Sequence, residues 1–261
     1  MNDSAGLYCN TLGEGENIVF LHGFLENEGM WHMLPLEQLK TKCWFIDLPG
    51  HGNSSFDFPI NKNFTLTQVA RRITNFLSFS GVQKYNIVGH SLGGYIALAI
   101  KSMDENCHKI VLMNSNFWQD DDQKKQNRTR FAELIQQHKK RMLREIFPSL
   151  FFNPSEHVKH IVKMRKEAGN MEATHIAAYS LAMRNRPHFR KVLRQFPSEI
   201  ALIHGEKDPL ISGKTLQKEM INLHNPVFNI GQAGHMSHLE SPQELMRIFK
   251  LFLQPKAYSQ P

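Results

Sequence analysis

The 261 residues carry 41% hydrophobic and 21% charged side chains, with 18 Phe and 12 Met, enough apolar surface to bury a large core, which excludes a globally disordered chain. Residues 1–16 hold neither a basic segment nor an apolar run, and no apolar run elsewhere reaches bilayer length, so neither a secretory signal nor a membrane span is predicted. A formal net charge of +7 turns attention to anionic partners and to where along the chain the charge sits.

In chain order, short apolar runs rich in β-branched and aromatic residues occur at 17–21, 42–46, 85–88, 109–113 and 199–204, with a weaker sixth at 227–230, and read as buried strands. Helical patterns lie between and after them at 66–79, 92–103, 213–222 and 242–253, the last with Ser241 as N-cap and Pro242 at the first helical position. This alternation predicts an α/β fold, a mostly parallel sheet covered by helices on both faces. Cys9, Cys43 and Cys107 are odd in number and lack C-x-x-C spacing, which predicts buried, reduced thiols and a cytoplasmic protein.

Residues 116–197 break the rhythm. They contain no strand pattern, only helical segments around 123–146, 156–167, 172–184 and 187–195, and read as a helical insertion into a core of residues 1–115 and 198–261. Phe131, Leu134, Ile135, Met142, Ile146, Phe147, Phe151 and Phe152 are expected to face inward, either as packing or as the roof of a substrate pocket. Residues 254–261 read as a frayed tail.

The strongest chemical signal is Gly89-His90-Ser91-Leu92-Gly93-Gly94, directly after a predicted strand and opening a predicted helix. A serine on so sharp a turn presents its hydroxyl, and the flanking glycines let strand and helix approach closely. That hydroxyl needs a base, and the base needs a carboxylate to fix its tautomer. Asp208 follows the strand at 199–204 and His235 follows the strand at 227–230, so Ser91, Asp208 and His235 fall on loops at the ligand-binding edge of such a sheet. The N–H of Leu92 and that of Phe24, in the turn His22-Gly23-Phe24, are candidate oxyanion donors, each of a kind that contributes about 3 to 4 kcal/mol in the transition state. Other assignments are open. Asp120 could supply the acid, although Asp120-Asp121-Asp122 also reads as a solvated helix start; His238 could be the base; His204, His235 and His238 could chelate zinc; and His51 reads as a residue that bonds its own turn.

Together with Trp31 and the run from Asp47 to Ser54, these motifs resemble the α/β-hydrolase superfamily over nearly the whole chain. The resemblance implies that 116–197 is a helical cap, that Ser91, Asp208 and His235 form the triad, and that no cofactor or metal takes part. A serine at the elbow implies attack on a carbonyl, hence a carboxylic ester hydrolase acting on a small-molecule ester through an acyl-enzyme. Other outcomes are open on the same fold: a non-catalytic ligand receptor, acyl transfer or perhydrolysis by the same residues, and a lyase similar to the pyruvate-eliminating enzymes of menaquinone synthesis. The latter usually place an arginine where this sequence has Tyr95.

Within 116–197 there are 17 Lys plus Arg against 8 Asp plus Glu, so the positive excess of the chain belongs to the insertion. No nucleic-acid-binding motif accompanies it. A basic rim is expected to attract an acidic carrier protein bearing the ester, as in the similar esterases of biotin synthesis that act on a pimeloyl ester of acyl carrier protein.

Overall fold

The computed structural model describes residues 6–59 and 64–254. Its strands are β1 (Cys9–Leu12), β2 (Asn17–Leu21), β3 (Lys42–Ile46), β4 (Tyr85–His90), β5 (Cys107–Met113), β6 (Ile200–Gly205) and β7 (Val227–Ile230). They form one sheet in the order β1-β3-β2-β4-β5-β6-β7, parallel throughout except that β1 runs antiparallel to β3, with Cys9 opposite Ile46. The six predicted strands are all present. β1 has no signature in sequence because only Cys9 of its four residues is buried, so an edge strand of this kind has no apolar run to read.

Alternation along β2 divides the core. Val19 and Leu21 pack with Val69, Ile73, Ile96 and Leu98 on one face, whereas Ile18 and Phe20 pack with Trp31, Phe45 and Phe249 on the other. The first face is covered by α1 (Leu66–Phe79) and α2 (Leu92–Lys101) and is joined by Leu216 of α7 (Gly213–Glu219), and the second is covered by α9 (Pro242–Leu253), which follows α8 (Ser237–Glu240) in the chain. Thr65 begins α1 with a capping box: its hydroxyl accepts the Gln68 N–H while the Gln68 side chain accepts the Thr65 N–H. The predicted helix at 213–222 ends three residues early, since Asn222 sits in the left-handed region at φ 61°. Ser241 occupies the position before α9, but its side chain makes no capping bond.

Between β5 and β6 lie four helices, α3 (Asp122–Ser149), α4 (Val158–Gly169), α5 (Ala173–Arg184) and α6 (Arg190–Gln195). Asp121 caps α3 by accepting the Lys124 N–H at 2.7 Å, and the non-helical backbone of His138 (φ −129°, ψ 33°) kinks it. Ile135, Phe147 and Phe151 are buried in a third apolar cluster with Leu25 and Met236, joining this insertion to the sheet's loops. Two residues depart from the expected inward face. Leu134 is half-buried and joins none of the apolar clusters. Phe152 lies beyond the end of α3, where helical spacing no longer applies, and is 38% exposed.

The three cysteines are buried and form no disulfide. Among the described residues no helix is long and apolar enough to cross a membrane. Of the tail at 254–261, residues 255–261 lie outside the described residues.

Candidate active site

The chain order of strands reverses between β2 and β4, neighbours paired Leu21 to Gly89, and the loops that leave their carboxyl ends diverge there into a crevice. Ser91 stands in this crevice as the residue before α2, with φ 48° and ψ −110°. So strained a non-glycine conformation costs about 1 to 3 kcal/mol and persists only where its surroundings enforce it. Gly93 supplies part of that enforcement: a Cβ there would run into the Leu21 carbonyl oxygen, so the helix can lie against β2 only as glycine. Ser115 Oγ donates to the Ser91 carbonyl at 2.7 Å and holds the turn from the other side.

His235, which lines the same cavity as Ser91, meets Asp208. The Nδ1–H of His235 donates to Asp208 Oδ2 at 2.8 Å, which leaves Nε2 as the basic nitrogen. Asp208 also accepts from Asn114 Nδ2 at 3.1 Å and, through Oδ1, from the N–H groups of Leu210 and Ile211 at 2.8 and 3.2 Å. Burial pushes the Asp208 pKa up, but the His235 ring and these donors outweigh it and hold the carboxyl below its ordinary value. The His235 N–H donates to the Leu150 carbonyl at 2.8 Å, and Glu240 accepts from Gly234 and Phe152 N–H, so the His235 loop is tied to the end of α3.

Phe24, Ser91 and His235 line one cavity of about 460 Å³, whose apolar walls come from Leu25, Phe131, Ile146, Phe147 and Met183. Asp208 lies behind His235, 7% exposed. Leu92 is fully buried under Ser91 as the first residue of α2, where a backbone N–H has no acceptor within its own helix. A hydroxyl and a carboxylate-oriented imidazole that line one cavity are the groups that nucleophilic acyl transfer requires.

The other candidates are placed elsewhere. Asp120 accepts from Arg128 Nε at 2.7 Å and Arg186 Nη2 at 2.8 Å, so its charge is engaged by two arginines, although it borders the same cavity. His238 is buried, and burial lowers its pKa to about 3. Among the described residues no three His, Cys, Asp or Glu side chains are gathered to hold a metal, so His204, His235 and His238 do not form a ligand set. His51 is buried with Nδ1 3.3 Å from the Pro49 carbonyl in its own turn. At Tyr95 the guanidinium of Arg186 lies 4.2 Å from the ring centroid, bringing an arginine to that position from the insertion.

Asn114, Ser115, Glu26 and His90 were not legible as site residues. The only signal for the first two is a polar run, Asn114-Ser115-Asn116, directly after an apolar strand on the sheet's binding edge.

Residues 18–248 match the Alpha/beta hydrolase family. Among curated proteins, the chain is 25% identical to a 2-succinyl-6-hydroxy-2,4-cyclohexadiene-1-carboxylate synthase of Serratia proteamaculans, covering 90% of this chain and 92% of the relative. It is 27% identical to the enzyme of that name from Citrobacter koseri over 86% and 88% of the two chains. Among solved structures, a thermophilic esterase from Thermogutta terrifontis superposes with a TM-score of 0.84 at 22% identity, covering 95% of this chain and 92% of the esterase; at that identity the likeness speaks for the fold.

Proposed function

The chain belongs to the alpha/beta hydrolase family, and from that premise we propose that it is a serine hydrolase that cleaves a carboxylic ester. The observation that carries this reading is the Asp208–His235 hydrogen bond at the cavity that His235 and a strained Ser91 both line. Ser91 Oγ attacks the ester carbonyl as His235 Nε2 takes its proton, and the Phe24 and Leu92 N–H groups receive the negative oxygen. His235 then passes the proton to the departing alcohol. Water, deprotonated by the same nitrogen, releases the acid and restores Ser91. Asp208 keeps the imidazole in the tautomer that this sequence needs. Helices α3 to α6 act as a cap, and the acyl group of a small-molecule ester lies among Phe131, Ile146 and Phe147.

The relatives' shared name favours a second reading, the synthase reaction itself, for which the Arg186 guanidinium stacked on Tyr95 would stand in for the expected arginine. Labelling with a fluorophosphonate, followed by turnover of p-nitrophenyl butyrate, separates the two. Labelling at Ser91 with ester turnover supports the hydrolase, and turnover of the synthase's substrate with an inert ester overturns it. A protein that neither labels nor turns over either substrate would be the non-catalytic receptor.

A further inference from the structure

Glu26 and His90 are buried next to Ser91 and His235, yet the acyl-transfer steps above use neither side chain. His90 Nε2 lies 2.9 Å from the His235 carbonyl oxygen, which can only accept, so Nε2 carries a hydrogen. His90 Nδ1 lies 2.7 Å from Glu26 Oε2, and that same oxygen accepts the Gly23 N–H at 2.7 Å. An imidazolium donating from both nitrogens, against a carboxylate, satisfies every one of these contacts.

We propose that Glu26 and His90 are positioning residues for the reaction at Ser91, a buried carboxylate–imidazolium clamp that joins the oxyanion turn, the elbow and the His235 loop and opens when His90 loses its proton. Gly23 precedes the donor Phe24, His90 precedes Ser91, and the carbonyl that His90 grips belongs to His235 itself, so one ion pair links all three segments. Gly23 is required by the clamp, because a Cβ there would collide with Glu26 Oε2 and lie 2.7 Å from His90 Nδ1.

The groups facing His90 are Glu26 after β2, His22 at the end of β2, Asp208 and His235 after β6 and β7, and His238 on α8. The ring centroids of His235 and His238 are 5.1 and 5.5 Å away. His22 is neutral, since its Nε2 accepts the Leu48 N–H at 2.9 Å while its Nδ1 donates to the Gly23 carbonyl, and burial lowers its pKa. His238 is held neutral by burial. At His90 burial opposes the charge, but Glu26 outweighs it and raises the pKa above the ordinary histidine value; at Glu26 burial is likewise outweighed by His90, and the pKa falls to about 2. The sign follows. The clamp is closed below the raised His90 pKa and is lost as pH rises through it, because a neutral ring must turn a lone pair toward either the Glu26 carboxylate or the His235 carbonyl.

The rate measurement rests on the hydrolytic reading, and the ring measurement does not. Ring nitrogen NMR of the wild-type protein, with the His90 signals assigned by their loss in His90→Gln, is expected to find both nitrogens protonated at neutral pH. Their deprotonation is expected to coincide with an alkaline fall in kcat for p-nitrophenyl butyrate. In Glu26→Gln that fall is expected at a pH lower by about 1 to 3 pH units, with KM little changed. A neutral His90 ring at neutral pH in the wild-type protein, or an alkaline limb unmoved in a folded Glu26→Gln protein, overturns the clamp. If the wild-type protein turns over no ester, the hydrolytic reading fails alone, and the ring spectrum still decides the protonation on which the clamp stands.

Discussion

Ser91 bears a conformational demand and, in the proposed reaction, a chemical one, and the two can be separated by substitution. Removing a partly exposed hydroxyl costs little packing, so Ser91→Ala is expected to abolish ester turnover while changing stability by no more than about 1 kcal/mol. Ser91→Gly is expected to be equally inactive and more stable than Ser91→Ala, because relief of about 1 to 3 kcal/mol of backbone strain exceeds the roughly 0.5 to 1 kcal/mol entropic cost of glycine. Denaturant titration of the three proteins checks the order, and residual turnover in either variant would remove Ser91 from the chemistry. The elbow itself was legible because its glycines are imposed by contacts within a few residues and one neighbouring strand. Asn114 was not: its side chain bridges Asp208 and the Gly234 carbonyl, residues 94 and 120 positions away, and nothing local marks that meeting.

At the scale of elements, α3 and the turn after α5 are fastened by Asp120, which sits between Arg128 and Arg186 with Arg186 and Asp120 both almost wholly buried. Breaking a buried pair by removing one partner leaves the other charge unpaired, so Asp120→Asn is expected to destabilise the protein by about 3 to 5 kcal/mol. It is expected to retain turnover at temperatures where it stays folded, whereas Asp208→Asn, with the wrong imidazole tautomer, is expected to lose about four orders of magnitude in kcat without a comparable loss of stability. Thermal unfolding and kcat measured on both variants check this, and the opposite pattern would make Asp120 the acid. The helices of the insertion were readable from their periodicity, but their ends were not. Helix ends answer to caps, such as Asp121 before α3, and the kink at His138 has no Pro or Gly to announce it.

For the whole molecule, the positive excess of 116–197 becomes a surface question, and the structure changes which residues can answer it. Lys139 donates to the carbonyls of Gly169 and Met171, and Arg141 pairs with Glu145, so both have internal partners. Lys140, Arg144, Lys159 and Lys166 are exposed on α3 and α4. If this face receives an acidic carrier, carrier-linked esters are expected to be cleaved with a higher kcat/KM than the matching free methyl esters. That advantage is expected to shrink by about tenfold between about 50 and about 300 mM salt, and reversal of these four residues to Glu is expected to lower only the carrier-linked rate. Equal rates for both substrates at every salt concentration would leave the charge as a solvated surface. Strand and helix periodicity, the glycine-flanked serine and the chain order of Ser91, Asp208 and His235 are written in the sequence itself, because each follows from local backbone geometry or from the alternation of buried faces. The edge strand β1, the engagement of Asp120 by arginines, the arrival of Arg186 at Tyr95 and the Glu26–His90 pair were decided only by the tertiary structure. Their partners are distant in sequence, and which buried charge meets which depends on how the insertion and the sheet's loops pack around the same cavity.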